Sequence, residues 1–321
     1  MKRISVIVPN YNGREVLPAC LESLARQCRP PDEIIVVDDA STDDSADEVG
    51  RRFPWVQVIV QSHNGGFCRA ANAGLRAAGG DYLALLNNDA EADPTWLEAL
   101  EEALERRPDI GFCASKMLFY DQRERINSAG LFMRVDGVGR DIGYGQLDGP
   151  QFSIEREVFG ACGGAAIYRR VMLEDVGLFD ETFVAYAEDL DLSFRAQWRG
   201  YRCLYVPKAR VYHRGRFTYR PDSPLAVYYS SRNMLAVILK NMPASLLIRY
   251  GPRILAAQIY QVCYYTRHYR GRAAWSGKWA TLRSLRQILE QRKSIMAQRR
   301  VSEDYIASLL AKKMEQSFHF K

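Results

Sequence analysis

At 321 residues, with 47% hydrophobic and 26% charged side chains, the chain has the composition of an ordinary globular protein, one large domain or one domain with an appendage. Its formal net charge of +6 is uneven: from Lys240 onward 16 Lys and Arg stand against 4 Asp and Glu, leaving 28 against 34 before it. The seven cysteines form no CxxC pair or zinc spacing, no signal peptide is visible, and no run reaches the roughly 18 apolar residues of a spanning helix, so a cytoplasmic chain without a membrane-crossing segment is expected.

The first half alternates strand and helix. ISVIVPNYN reads as a strand running into a polar loop, and REVLPACLESLARQ has helical spacing. EIIVVDD is a second strand, after which Ser41 or Thr42 can cap a helix running through Asp44 to Arg52. VQVIV is a third strand. Asn64-Gly65-Gly66 turns into an Ala-rich helix, and DYLALLN is a fourth strand. Asp93 and Pro94 then open a helix to about Arg107. Four strands joined by helical crossovers imply an α/β fold with a mostly parallel sheet covered on both faces. Ligands of such sheets bind beyond the carboxyl ends of the strands. Residues Pro9 to Asn12, Asp38 to Asp39, Asn64 to Gly66 and Asn87 to Asp89 are therefore expected on one rim.

From about residue 115 to 160 the sequence is Gly-rich with irregular polarity and reads as loops and short strands. GGAAIYRR is a strand, a short helix stops at Gly177, and another spans Glu188 to Arg199. YRCLYVP and ARVYH read as separate short strands, and the chain is helical, aromatic and basic from Leu225 onward.

Several clusters have both an architectural and a chemical reading. Asp38 and Asp39 can complement a helix dipole, or accept hydrogen bonds from a nucleobase or ribose. Asn64 to Phe67 is a turn, or a phosphate-facing helix start. Asp89, with the neutral oxygen of Asn87, ends a strand in a turn or offers ligands to Mg²⁺ or Mn²⁺. Glu188, Asp189 and Asp191 favour a helix start, or supply a general base. Asp189 and Asp191 lie two positions apart and cannot share a helix face, so their roles differ. His213, followed by Arg214, Gly215 and Arg216, is structural or a second metal ligand.

Together these segments resemble the family-2 inverting glycosyltransferases of the GT-A fold. The matching stretches are SVIVPNYNG, VVDDASTDDS, NGGFCRAANAG, YLALLNNDAEADPTWL, GACGGAAIYRR, VGLFDETFVAYAEDLDLSFRAQWRGY and VYHRG, in family order over about residues 1 to 220. The resemblance implies a nucleotide-sugar donor held by Pro9, Tyr11, Asn12 and Asp39 around the base and ribose. Asn64, Gly65, Gly66, Phe67, Asn72 and Asn88 would line the rest of the donor site. Asp89 matches the last residue of the family's DxD motif and His213 its later metal histidine; Asn87 replaces the first aspartate as a weak ligand. Asp189 matches the catalytic base, with Glu188 and Asp191 as acceptor-binding or orienting neighbours. The form is closest to rhamnosyltransferase-like members of polysaccharide or lipopolysaccharide assembly, implying dTDP-rhamnose or a UDP-sugar as donor and a glycan or lipid-linked acceptor.

Residues 1–220 would form the catalytic domain, with nucleotide binding in about 1–115 and the acceptor half in about 116–220. Residues 221–321 would be a helical basic extension. That extension has the composition of helices lying on an anionic bilayer; a cap on the catalytic domain and a homodimer interface are the alternatives, and no nucleic-acid module is visible. Two rival functions are a sugar-nucleotide nucleotidyltransferase and a non-catalytic scaffold. The first would want a Gly-rich basic first loop, where PNYNGRE offers one Gly and one Arg; the second would not need Asp39, Asp89, Asp189 and His213 together.

Overall fold

The computed structural model describes residues 2–215 and 223–310. The expected boundary near residue 220, and Arg216, lie outside the described residues.

The first half follows the predicted alternation: β1 (Ile4–Asn10), α1 (Leu17–Ala25), β2 (Glu33–Asp38), α2 (Ser45–Arg52), β3 (Gln57–Val60), α3 (Phe67–Ala77) and β4 (Tyr82–Leu86). Next come β5 (Ala90–Ala92), α4 (Trp96–Arg106), β6 (Ile110–Phe119), β7 (Ile126–Ser128), β8 (Leu131–Met133), β9 (Gly139–Asp141) and β10 (Arg156–Val158). The chain continues through β11 (Ala165–Arg169), α5 (Arg170–Val176), α6 (Glu188–Trp198) and β12 (Arg202–His213). The described residues end in α7 (Pro224–Asn241), α8 (Ala244–Arg267), α9 (Gly271–Arg283), α10 (Leu285–Ala297) and α11 (Glu303–Leu309).

The main sheet runs β10-β12-β6-β11-β4-β1-β2-β3. β3, β2, β1 and β4 are parallel; β11 runs against both β4 and β6, and β12 lies parallel to β6. Every residue of β1 and β4 is buried, which is why their sequences run apolar without alternation. On one face Leu21 of α1 and Leu100 of α4 share an apolar cluster with Val6 and Val8; on the other α3 packs against Ile7 and Val37, and α6 joins the same cluster beside β12. α3 lies so close that a methyl on Gly74 would run into Ile7 and Val37, which makes glycine necessary at that crossing.

Three details differ from the expectations. The stretch read as loops begins inside β6, a ten-residue central strand. Ser115 and Lys116 interrupt its apolar run, yet both are buried and satisfied: Trp96 Nε1 donates to Ser115 Oγ at 2.8 Å, and Lys116 Nζ to Asp148 at 2.7 Å. YRCLYVP and ARVYH are one strand, β12, with a register shift between Val206 and Arg210. Ser41 and Thr42 do not cap α2. Its N-cap is Asp44 in left-handed backbone, and the Ser41 hydroxyl instead donates to Asp38 at 2.6 Å.

The C-terminal helices share the sheet's core. Val237, Ile238 and Met242 of the α7 region, and Ile288 of α10, belong to the same apolar cluster as Phe194 and Trp198 of α6. Of the readings offered for this region, packing on the sheet-bearing part is therefore realised. Among the described residues no helix is long and apolar enough to cross a membrane.

Candidate active site

The carboxyl ends of β1, β2 and β4 open into a cleft of about 950 Å³, floored by the loops after β1 and β4 and closed at its far side by the start of α6. Pro9, Tyr11, Asp39, Asn64, Gly66 and Phe67 line one end of it, as the parallel topology requires. Asp39 accepts the backbone N–H of Gly65 at 2.9 Å and of Gly66 at 2.7 Å, pinning the turn before α3 to β2. Its neighbour Asp38 is buried and structural, accepting from Asn10 Nδ2 and the Ser41 backbone, both at 2.9 Å. Asn88 lines the cleft and donates to Asn10 Oδ1 at 2.8 Å, which ties the loop after β4 to the same network.

Three expected donor residues lie off the cleft. Gly65 contributes the amide to Asp39 but does not line the cavity. Asn12 adopts left-handed backbone at φ 50°, and its Oδ1 accepts the Thr42 N–H at 2.8 Å. Asn72 is buried on the face of α3 turned to the loop after α5, where its amide clamps Phe179 through both N–H and C=O, at 3.0 and 2.8 Å. With its hydrogen-bonding groups used in this way, Asn72 has a scaffold role rather than the expected donor contact.

β4 and β12 bring Asp89 and His213 together. His213 Nε2 stands 3.2 Å from Asp89 Oδ1 and 3.2 Å from Asn87 Nδ2, and its Nδ1 stands 3.0 Å from Asn127 Oδ1. Asn127 Oδ1 accepts from Nδ1–H, while Nε2 faces both the Asp89 carboxylate and the Asn87 amide, a position from which it donates to Asp89 when protonated and offers a lone pair when not. Burial is the largest influence on the Asp89 carboxyl and raises it, but the His213 contact and the backbone N–H groups of Asp89 and Gly215 outweigh it, so Asp89 stays below its usual range. Among the described residues no group of three His, Cys, Asp or Glu could hold a metal. Asp89 and His213 offer one oxygen and one nitrogen ligand, so a divalent ion held here would need its remaining ligands from a bound molecule.

Across the cleft, Asp189 sits at the first turn of α6. It accepts the Leu190 N–H at 2.8 Å and the Gly163 N–H at 3.2 Å, which fixes its carboxylate without neutralising it. Burial, and then the Asp141 charge, pushes it well above the ordinary carboxylate range. Glu188 is pushed up likewise, by burial and by Asp189; it lines the cleft, and its Oε2 has no hydrogen-bond partner among the described residues. Asp191 faces the other way. It is fully buried, bonded to Arg195, Lys240 and Asn241, so it orients α6 and is out of an acceptor's reach. The loop entering α6 holds Val184, Tyr186 and Ala187 at φ 64°, 71° and 64°, left-handed backbone that non-glycine residues rarely adopt.

Sequence reasoning missed a whole wall of the cleft. Tyr120, Arg125, Asn127, Arg140 and Asp141 come from the segment after β6, and Ser230 and Met234 from α7. Those stretches carry no periodicity or motif that could have flagged them. Arg214 also lines the cleft; its guanidinium lies 3.8 Å from the Tyr120 ring centroid.

Comparison with known proteins agrees with this arrangement. The family model for glycosyl transferase family 2 matches residues 5–177. The O-antigen biosynthesis protein RfbC of Myxococcus xanthus is 27% identical over 240 residues, covering 71% of this chain and 19% of that protein. The N-acetylglucosaminyl-diphospho-decaprenol L-rhamnosyltransferase of Mycobacterium tuberculosis is 26% identical over 253 residues, 71% of this chain and 82% of its own. The chain spans less than half the length of the first curated relatives it matches. Among solved structures, GalNAc-T7 with UDP, GalNAc and Mn²⁺ superposes with a TM-score of 0.63 at 18% identity, over 79% of this chain and 50% of that one, a likeness of fold. The expected GT-A architecture is the one observed, and the match over more than half its length means that the chain belongs to glycosyl transferase family 2.

Proposed function

We propose that the protein is an inverting glycosyltransferase that moves a sugar from a nucleoside-diphosphate donor to an acceptor hydroxyl. One observation carries the reading: Asp189 and the Asp89–His213 pair line the same cleft as the nucleotide-facing Asp39 and Asn64. Asp189 takes the proton of the acceptor hydroxyl as its oxygen attacks the anomeric carbon, and a carboxyl raised by burial is suited to that role near neutral pH. The nucleoside diphosphate leaves from the opposite face, so one base suffices and no carboxylate nucleophile is required. Asp89 and His213, with Asn87 as a weak third, would hold Mg²⁺ or Mn²⁺, which when bound neutralises charge on the leaving diphosphate. Arg214, on the same side, orients the phosphates.

Pro9, Tyr11, Phe67 and Asn88 position the base, ribose and sugar, and Glu188 with Asp141 faces the acceptor. The donor is dTDP-rhamnose or a UDP-sugar, and the acceptor a growing cell-surface glycan or a lipid-linked sugar. Transfer is the work of residues 1–220, while the region 221–321, whose helices α7 and α10 brace α6, meets the inner face of the cell membrane. Support for a lipid-linked acceptor comes from the mycobacterial relative, whose name describes such a substrate. The test is nucleoside diphosphate release from a panel of UDP-, dTDP- and GDP-sugars with Mn²⁺, run beside donor-dependent thermal shifts. Stabilisation by a donor and release of its nucleotide support the reading; a protein that binds no sugar nucleotide would sink it.

A further inference from the structure

We propose that the outer faces of α8 and α9 form a docking surface for anionic phospholipid. The proposal deepens the reading of a lipid-linked acceptor, on which it rests for its purpose. Its physical basis is separate and lies in the surface itself.

Residues 223–289 contain ten Lys and Arg and no Asp or Glu. A solvated helical face ordinarily mixes both signs, because i,i+4 pairs of opposite charge stabilise it. On α8, Ile248, Leu255 and Ile259 recur at helical spacing along one exposed stripe, with Ile248 83% and Leu255 62% accessible. Arg249, Arg253 and Arg267, all exposed, lie along one side of that stripe, and among the described residues none of them has a carboxylate partner. α9 repeats the arrangement with Trp275 and Trp279, both more than half exposed, beside the exposed Arg272 and Arg283. Large apolar side chains left in water in two neighbouring helices require a partner surface.

The charges decide which partner. A second copy of this chain docking face to face through a twofold axis would set arginine against arginine with no acid on either side to pair it. An anionic bilayer supplies the missing phosphates, while its interfacial zone takes up Trp rings and the apolar stripe together. The face is also firmly attached to the cleft. Lys278 Nζ donates to the Ser231 carbonyl at 3.0 Å and Thr281 Oγ1 to the Arg232 carbonyl at 2.7 Å, registering α9 against α7. Ser230 and Met234 of α7 line the cleft. A membrane held by α8 and α9 would thus lie beside the cleft that receives the acceptor.

Sedimentation of the full chain with vesicles tests this without donor or metal. Vesicles of phosphatidylcholine with phosphatidylglycerol should carry the protein down at low salt, and phosphatidylcholine alone should not. Raising salt toward 1 M, where the Debye length falls to about 3 Å, should release it. The pairs W275A/W279A and R267E/R272E should each weaken binding roughly tenfold or more while thermal unfolding and donor hydrolysis in solution stay unchanged. Protein that remains in the supernatant with anionic vesicles at low salt overturns the proposal. So does a concentration-dependent dimer, abolished by W275A/W279A, in a chain that ignores vesicles. Donor hydrolysis is read separately, so failure of the membrane face and failure of the transferase reading give different results.

Discussion

Lys240 lies between two carboxylates, its Nζ 2.7 Å from Asp180 Oδ2 and 2.9 Å from Asp191 Oδ1, with all three side chains nearly closed to solvent. The contact ties α7 to α6 two residues after Asp189. Burial, the largest influence on both acids, raises them, but Lys240 outweighs it and holds Asp180 down to about 2, with Asp191 lowered too. Lys240→Met should therefore cost about 3–5 kcal/mol, because it leaves buried charge uncompensated. Thermal unfolding followed by circular dichroism checks it, and adding Asp180→Asn should recover part of the loss. The sign with pH follows from the lowered values. The stabilisation is complete above the ordinary carboxylate pKa of about 4 and is lost as pH falls toward 2. A K240M protein as stable as the parent would show that the pair carries no net stability.

Asp189→Asn keeps the shape of the side chain and removes the base. Turnover should fall by about 10²- to 10⁴-fold, while the thermal shift given by the donor is unchanged. Equal loss of donor binding would instead mark Asp189 as a binding residue.

The pH profile supplies a finer check on the same residue. A base works only when deprotonated, and burial together with the Asp141 charge raises the Asp189 carboxyl. Activity should thus rise with pH through a limb well above the ordinary carboxylate range near 4. Asp141→Asn removes one of the two causes and should displace that limb toward acid. A limb that stays in place would show that Asp141 does not influence the base.

Chelation should abolish nucleotide release, and Asp89→Ala should remove the Mn²⁺ dependence of donor stabilisation. Asn87→Asp restores a second carboxylate beside His213 and should tighten Mn²⁺ binding in the absence of donor, by about tenfold. Electron paramagnetic resonance of unbound Mn²⁺ measures this directly. Unchanged affinity would mean that Asn87 lies outside the coordination sphere.

Most of the parallel sheet was legible because β1, β2 and β4 are buried on both sides and read as continuous apolar runs. The places of Asp39 and Asp89 on the cleft were legible from strand ends sharing one rim, and those of Asp189 and His213 from the family resemblance. β6 was not, since a buried lysine paired with Asp148 looks, in one dimension, like the edge of a loop. Asn72 misled for a related reason: a polar residue beside a binding turn can equally be clamping backbone, and only Phe179, 107 residues away, reveals which. Asn127 and Asp141 reach the cleft through long-range packing that leaves no periodic trace.

The left-handed residues before α6 have a consequence for how this chain can change. Left-handed backbone costs an alanine roughly 1–2 kcal/mol, and glycine would adopt the φ of 64° at Ala187 without that penalty. Replacement by glycine is thus an accessible route to a more stable fold, and also a route to a looser hold on the adjacent carboxylates. Selection for heat resistance and selection for turnover would pull this one position in opposite directions.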